Sequence, residues 1–366
     1  MSETRYDWLA DRWVIFAPRR NQRPDEFAAV SAVEPLRRVE CPFCCGSESA
    51  TPAAVYSLPR SSQSRNWRVR VVPNKYPALQ RLHNVPGLPS ELHLLSRQEE
   101  QGIQLEPLED DFCPPTGDDC ILFCRRQIRG AHEVIIETPQ HKQSLTELDP
   151  QNNRMVFEAF RQRLNYWRAH QSLHYAVIFK NVGYDAGASL VHTHSQLIAA
   201  NFVPPDVLRT CQRMQQYRET YDRGFFAETI ARELDAGTRV VTETRHFVAI
   251  TPFASYLPYM VVILPKVPAA RFEEIDDRQL AEFAALTQQI LKGLEGILPS
   301  TAYNFVLHTS PFHDYWDDVF HWRMELFPRL TRVAGFEWGS DCFINPVMPE
   351  RAAAALRGHV GAVAVG

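Results

Sequence analysis

Apolar positions along the chain fall into two series that repeat each other. The run Val134-Ile135-Ile136 is followed by Leu145, Leu148 and Asp149, which stand 11, 14 and 15 residues after Val134. The run Val261-Val262-Ile263 is followed by Phe272, Ile275 and Asp276 at the same three offsets from Val261. Each Asp opens a stretch with helical spacing, Val156, Phe157, Phe160, Leu164 and Trp167 in the first and Leu280, Phe283, Leu286, Ile290 and Leu294 in the second. Apolar residues three and four apart line one face of a helix, and Asp149-Pro150 is a favourable helix start. A strand-like run follows each helix, at 174–179 and 303–308. A short alternating run closes each series: His192-Thr193-His194-Ser195-Gln196 and His321-Trp322-Arg323-Met324-Glu325.

This order predicts an α+β duplication, with one half over residues 1–205 and a second over 233–349. Each half is expected to be an antiparallel sheet with packed helices. Pro204-Pro205 closes the first half, and a polar helical connection runs on to about Arg232. The acidic stretch from Gly102 to Gly117 reads as an exposed loop, and the alanine-rich tail after Pro349 as a terminal helix.

Composition narrows the function classes. With 45% hydrophobic and 22% charged residues, the chain is of ordinary globular type. A formal net charge of −4 supplies no basic field for nucleic acid. No apolar run reaches the roughly 18 residues of a membrane span. The first residues, Met1 to Asp7, lack the apolar core of a signal peptide, so a cytoplasmic location is expected. A disulfide framework is then not expected of the 8 cysteines.

The chemistry concentrates at residues 181–196. In an extended strand, His192, His194 and Gln196 share one face. A neutral imidazole can attack phosphorus, and amide donors can hold the oxygens that gain charge. The adjoining Gly187-Ala188-Ser189 turn offers backbone amides for phosphate oxygens. The second half has Arg323 where the first has His194, and Glu325 where it has Gln196, which predicts one active half. Cys41-Pro42-Phe43-Cys44 has the spacing of half a zinc site, with His132, His141 and His192 as candidates to complete it. Cys45 leaves open which thiolates bind. Arg19, Arg20 and Arg23 suit a diphosphate, and Asn74 and Tyr76 suit a nucleoside. Taken singly, a solvated charge run and a plain turn are the simpler accounts of those two groups. A serine hydrolase is disfavoured, because the Gly-x-Ser-x-Gly elbow is missing.

Several segments carry a resemblance when taken in order. They are Trp13-Val14-Ile15-Phe16-Ala17-Pro18, Arg20 with Arg23-Pro24, Cys41-Pro42-Phe43-Cys44 and Val72-Pro73-Asn74-Lys75-Tyr76-Pro77. Further along come Glu137-Thr138-Pro139-Gln140-His141, Lys180-Asn181-Val182-Gly183, His321-Trp322-Arg323 and Gly335-Phe336-Glu337. From about Tyr6 to Pro349 the chain resembles the galactose-1-phosphate uridylyltransferase family of the histidine-triad superfamily. The resemblance implies that His194 is a nucleophile and that Gln196 bonds the transferred phosphoryl group. It implies a structural zinc site of Cys41, Cys44, His141 and His192. Arg20, Arg23, Asn74, Asn181 and Ser189 match nucleotide-diphosphate contacts, with Gly187 and Ala188 in the same turn. Phe336 and Glu337 match residues that meet the sugar, in a homodimer whose sites are shared between subunits.

The implied reaction is ping-pong uridylyl transfer between UDP-glucose and a hexose 1-phosphate, through a nucleotidyl-histidine, as in galactose metabolism. The transferase motif usually has Pro between the two histidines and Gly before Gln, whereas this chain has Thr193 and Ser195. The His-x-His-Ser-Gln form after Gly187-Ala188-Ser189 resembles the branch that contains plant ADP-glucose phosphorylase. That implies an alternative, with ADP-glucose as donor and phosphate as acceptor. A non-catalytic nucleotide-binding protein is the third alternative, and intact His194 and Gln196 oppose it. A second metal site, built from histidines in some members, is not expected: His308 matches, but Glu325 and Phe327 occupy the other positions.

Overall fold

The computed structural model describes residues 2–19, 41–59, 66–81, 128–313 and 315–360. Arg20, Arg23, Cys113, Cys120, Cys124 and the acidic stretch 102–117 lie outside the described residues. In chain order the elements begin with β1 (Glu3–Asp7), β2 (Arg12–Phe16), β3 (Tyr56–Leu58), β4 (Val69–Pro73), β5 (Gln80–Arg81) and β6 (Arg129–Ile136). Next come α1 (Pro150–Arg168), β7 (Tyr175–Val182), β8 (His194–Ala200), α2 (Pro205–Tyr221) and α3 (Phe225–Ala236). The second series is β9 (Val240–Glu243), β10 (Phe247–Ile250), β11 (Val261–Pro265), α4 (Asp277–Ile297), β12 (Tyr303–His308) and β13 (Arg323–Pro328). α5 (Gly335–Ser340), β14 (Phe343–Asn345) and α6 (Pro349–Arg357) complete it.

Among the described residues, the two series share one eleven-stranded sheet instead of forming two. Its order is β3-β4-β6-β8-β7-β12-β13-β11-β10-β9, with β5 beside β6. The seam is the antiparallel pair β7/β12, from Tyr303↔Val182 to His308↔Val177. Reading outward from the seam, β7, β8, β6, β4 and β3 answer β12, β13, β11, β10 and β9. Both seam strands carry buried residues, Ala176 and Ile178 on one and Phe305 and Leu307 on the other. Buried backbone N–H and C=O groups need partners, so an edge here would be costly and the seam satisfies it. All ladders in this sheet are antiparallel except the short β5/β6 pair. A smaller sheet joins β1, β2 and β14, the last parallel to β2.

Matching hydrogen bonds repeat with the elements. The Asp149 and Asp276 side chains cap α1 and α4 by accepting from backbone amides of the first turn, which satisfies otherwise unpaired helix donors. Both helices cover the same face of the sheet, with Phe157 packed edge-on to Phe283 at 5.4 Å between ring centroids. The connection after Pro205 is two helices, α2 and α3, broken where Asp222 adopts a left-handed conformation.

The other face is used differently in the two halves. In the second, Phe226 and Ile230 of α3 pack with Val248, Ile250, Val262 and Leu264. In the first, that face carries His194 and Gln196 beside a small apolar cluster of Phe43, Trp67, Val72, Val134 and Ile136. Among the described residues, no helix is long and apolar enough to cross a membrane.

Candidate active site and metal cluster

The alternation expected over 192–196 holds only from His194, where β8 begins. His192 precedes the strand. Its local backbone is fixed by a neighbouring loop: the Thr193 amide donates to the Lys142 carbonyl at 2.7 Å. His194 and Gln196 therefore share a face of β8, while the His192 ring turns toward the cysteine knuckle.

Cys41, Cys44, His141 and His192 place one ligand atom each within 4.8 Å of one another. The sulfur–nitrogen separations are 3.5 Å for Cys41–His192, 3.4 Å for Cys44–His141 and 3.6 Å for Cys44–His192. A tetrahedral zinc with ordinary bond lengths would set such an edge at about 3.6 Å, so the donor set fits the ion. The Thr138 carbonyl accepts from His192 Nε2 at 2.9 Å, leaving Nδ1 as the lone-pair atom facing the sulfurs. This is the outer-shell bond that fixes a metal-binding imidazole. Burial pushes the His192 imidazolium down to about 4, so the ring is neutral and free to ligate. Burial, with Cys41 and Cys45 alongside, pushes the Cys44 thiol up to about 11. Cys45 lies outside the four-residue group, and its amide donates to the Pro139 carbonyl.

Phe43, between the two cysteines, packs its ring edgewise against both His192 and His194, with centroids 6.0 and 5.3 Å apart. The His192 carbonyl accepts from His194 Nδ1 at 2.7 Å, so Nε2 carries the lone pair. Burial, and then the Lys180 ammonium, hold the His194 imidazolium below its usual range. A neutral ring with a fixed tautomer is the form able to attack an electrophile.

His132, left open above as a metal ligand, has another partner. It lies on β6 opposite β8, and its Nε2 is 2.9 Å from Gln196 Oε1. Its Nδ1 accepts from the Ala78 amide at 3.2 Å. His132 Nε2–H therefore donates to the Gln196 carbonyl oxygen, which leaves the amide NH2 of Gln196 to face a ligand. Under the role that the resemblance implies for Gln196, its replacement with Ala is expected to slow nucleotidyl transfer about 100-fold, as for loss of one donor to a developing oxyanion. Replacing His132 with Phe should give a smaller loss in the same rate, read by single-turnover kinetics. Wild-type rates in both would remove the pair from the site.

The remaining site candidates are arranged unevenly. Asn74, at the end of β4, brings Nδ2 to 3.1 Å from His132 Nε2 and accepts from the Tyr76 amide at 2.8 Å. Asn181 Oδ1 accepts from Asn304, which also holds the Ala186 carbonyl. Gly183 and Gly187 adopt positive φ of 83° and 84°, so the 183–189 turn folds tightly. That tightness has a consequence for the expected phosphate cradle. The Gly187 amide already donates to Tyr184, and the Ala188 amide to Gly183. Ser189 is exposed, as are Gly183, Tyr184, Asp185 and Gly187 of the same turn. Phe336 and Glu337 lie on α5, which adjoins β14. Phe336 is half-exposed, and a Glu337 oxygen accepts from the Ala334 amide. Nothing described within the chain ties these two side chains to His194.

Residues 93–204 match the family described as Galactose-1-phosphate uridyl transferase, N-terminal domain. Over 358 residues the chain is 33% identical to ADP-glucose phosphorylase from Arabidopsis thaliana, covering 97% of this chain and 92% of that protein. The chain belongs to the galactose-1-phosphate uridylyltransferase family. It is a nucleotidyltransferase of that kind. It is also 27% identical to the galactose-1-phosphate uridylyltransferase of Thermotoga maritima, over 98% of each chain. The crystal structure of an Arabidopsis thaliana ADP-glucose phosphorylase with bound ADP-glucose matches with a TM-score of 0.76 at 29% identity. That match covers 98% of this chain and 99% of the other.

Within this family member, the backbone frame around His192 recurs around His321 with different side chains. His321 Nε2 donates to the Pro265 carbonyl at 2.9 Å, as His192 does to Thr138. The Trp322 amide donates to Ala269, as Thr193 does to Lys142. In place of a neutral imidazole, Arg323 donates to Glu325 at 2.7 Å. Burial alone would raise the Glu325 carboxyl, yet Arg323 and then His308 hold it well below the carboxylate range. His308 Nε2 is 3.7 Å from Glu325. A guanidinium bound to carboxylate has no lone pair for phosphorus.

Proposed function

We propose that this nucleotidyltransferase is an ADP-glucose phosphorylase, in which His194 carries the adenylyl group between a nucleotide sugar and phosphate. The observation that carries the chemistry is the His194 ring, buried and held by the His192 carbonyl with Nε2 as its lone-pair atom. The substrate choice rests on the likeness to ADP-glucose phosphorylase along nearly the whole chain and on Thr193 and Ser195 in the motif.

In the first half-reaction, His194 Nε2 forms a bond to the α-phosphorus of ADP-glucose. The bond from that phosphorus to the bridging oxygen breaks, and glucose 1-phosphate leaves with the electron pair. The Nδ1–H bond to the His192 carbonyl then supports the positive charge on the ring. The Gln196 amide, turned outward by His132, donates to an α-phosphoryl oxygen. In the second half-reaction, an oxygen of phosphate attacks the same phosphorus, the P–N bond breaks, and ADP forms. One residue thus serves both displacements.

Cys41, Cys44, His141 and His192 are assigned to hold zinc. A four-ligand protein set of this kind is closed, which suits a structural site. When bound, the ion supplies a fixed anchor for the turn before β8; positioning His194 is left to the chain. Arg20, Arg23, Asn74, Asn181 and Ser189 are assigned to the nucleotide diphosphate. Gly187 and Ala188 shape the turn, and Phe336 and Glu337 meet the sugar across a homodimer. The halves 1–205 and 233–349 are taken as one duplicated unit each.

The uridylyl alternative is kept by the likeness to the Thermotoga maritima enzyme. The test is incubation with ADP-glucose and UDP-glucose in separate reactions, each labelled at the α-phosphorus. Adenylyl label that phosphate discharges as ADP is the expected result. Uridylyl label that only a hexose 1-phosphate discharges would replace the phosphorylase with a uridylyltransferase.

A further inference from the structure

Directly behind β8, on the face away from the His194 ring, lies an ion pair with no exposed surface. Lys180 Nζ is 2.6 Å from Glu137 Oε2, and both side chains are 0% exposed. Two charges removed from water are expensive, and an apolar pair of similar volume is often as stable. Stability of the core is therefore a poor account of why the pair is here. Its other bonds supply a better one.

All three protons of the Lys180 ammonium have acceptors: Glu137, the Thr193 hydroxyl at 2.8 Å and the His194 carbonyl at 3.0 Å. Glu137 accepts from Lys180, from the Thr193 hydroxyl and from the Ser195 hydroxyl at 2.6 Å. Each residue from 193 to 195 is thus bonded to the pair. The Glu137 backbone is anchored as well. Its carbonyl accepts from Asn152 in the first turn of α1, and its amide donates to the Thr193 carbonyl.

The location explains the need. The β7/β8 ladder ends at Phe179↔Gln196, short of His194. Beyond that end, the Lys180 ammonium bonds the carbonyl of the nucleophile's own residue. Thr193 and Ser195 supply the hydroxyls that the carboxylate requires, which Pro and Gly in those places would not.

We propose that the buried Lys180–Glu137 pair is a positioning device for the nucleophile, fixing the backbone on both sides of His194 through Thr193, the His194 carbonyl and Ser195. It rests on the assignment of His194 as the attacking residue. Lys180 and Glu137 touch no substrate, so their effect falls on the transfer rate and leaves binding alone.

The experiment compares wild type, the double variant Lys180→Met/Glu137→Leu, and the single variants Thr193→Val and Ser195→Ala. For each, the single-turnover rate of label transfer from ADP-glucose and from UDP-glucose to His194 is measured, with the dissociation constant of the nucleotide sugar, zinc content and melting temperature. A backbone shift of about 1 Å can cost roughly 100-fold in rate. The double variant is therefore expected to transfer about 100-fold more slowly, with zinc and nucleotide-sugar binding unchanged. Each single variant, which removes one hydroxyl and no charge, is expected to lose about 10-fold. Transfer at the wild-type rate in the double variant would overturn the proposal. So would loss of rate only in proportion to loss of binding and melting temperature, since that marks a general structural role. If the double variant does not fold, the single variants decide: wild-type rates in both overturn it. Absence of label on His194 in wild type with either donor would instead defeat the nucleophile assignment itself.

Discussion

Replacing His194 with Gly is expected to abolish both half-reactions while leaving the protein folded and the Cys41, Cys44, His141 and His192 cluster intact. The ring has a defined tautomer, is held neutral by burial and sits on the same face of β8 as Gln196. Loss of a covalent nucleophile typically lowers turnover by roughly 10^6-fold. Release of sugar 1-phosphate and uptake of nucleotide by phosphate should vanish together, because one residue serves both. A nucleotide imidazolide added to the variant is expected to restore the second half-reaction, since it brings its own activated imidazole to the vacated space. The Arg323 site in the second half offers no substitute, because its guanidinium is committed to Glu325. Normal turnover by the variant, measured as sugar 1-phosphate released, would contradict the assignment.

Two residues earlier, His192→Ala should give the opposite profile. Its Nδ1 faces the sulfurs of Cys41 and Cys44, and its Nε2 is bonded to Thr138. Removing it leaves three ligands of a closed four-ligand set. Zinc per chain, measured by atomic emission, is expected to fall well below one equivalent. The melting temperature is expected to drop by several degrees, on the order of 5 °C, as for loss of a structural metal contact. Activity is expected to fall as well, because the backbone that presents the His192 carbonyl to His194 Nδ1 loses its anchor. A chelator should reproduce these changes in wild type, and readdition of zinc should reverse them. Unchanged zinc and melting in His192→Ala would show that the cluster is not a metal site. Zinc loss in His194→Gly would show that the two histidines do not divide the work as described.

The contrast between these neighbours shows where the sequence is legible. Periodicity locates α1, α4, β7 and β12, because amphipathic spacing is a local property of the segment that bears it. It does not show that β7 and β12 pair, since Tyr303 and Val182 meet only after the chain has passed through α2, α3 and α4. The single sheet is therefore a property of edges, which have no sequence period. The duplication is readable from matched offsets and reappears as matched hydrogen bonds at His192 and His321.

The site is legible by residue type and less so by arrangement. Cysteine spacing marks the knuckle, but spacing alone does not choose among His132, His141 and His192. The fold brings His141 and His192 to the sulfurs and His132 to Gln196. Phe43, bracketed by the cysteines, has no polar signal that would mark its contact with His194. Glu137 and Lys180 look like ordinary polar ends of strands, and only burial shows them as a pair. The Gly187-Ala188-Ser189 turn reads as a source of amide donors, yet its Gly187 and Ala188 amides are used internally.

The central claim is that His194 becomes covalently nucleotidylated. The most direct measurement is base-quenched mass spectrometry of peptides from protein incubated with ADP-glucose, and in parallel with UDP-glucose, without an acceptor. The account predicts an adenylyl phosphoramidate on the peptide containing His194, stable in base, lost in acid and discharged by phosphate. Absence of any adduct from either nucleotide sugar, or an adduct on a residue other than His194, would contradict it.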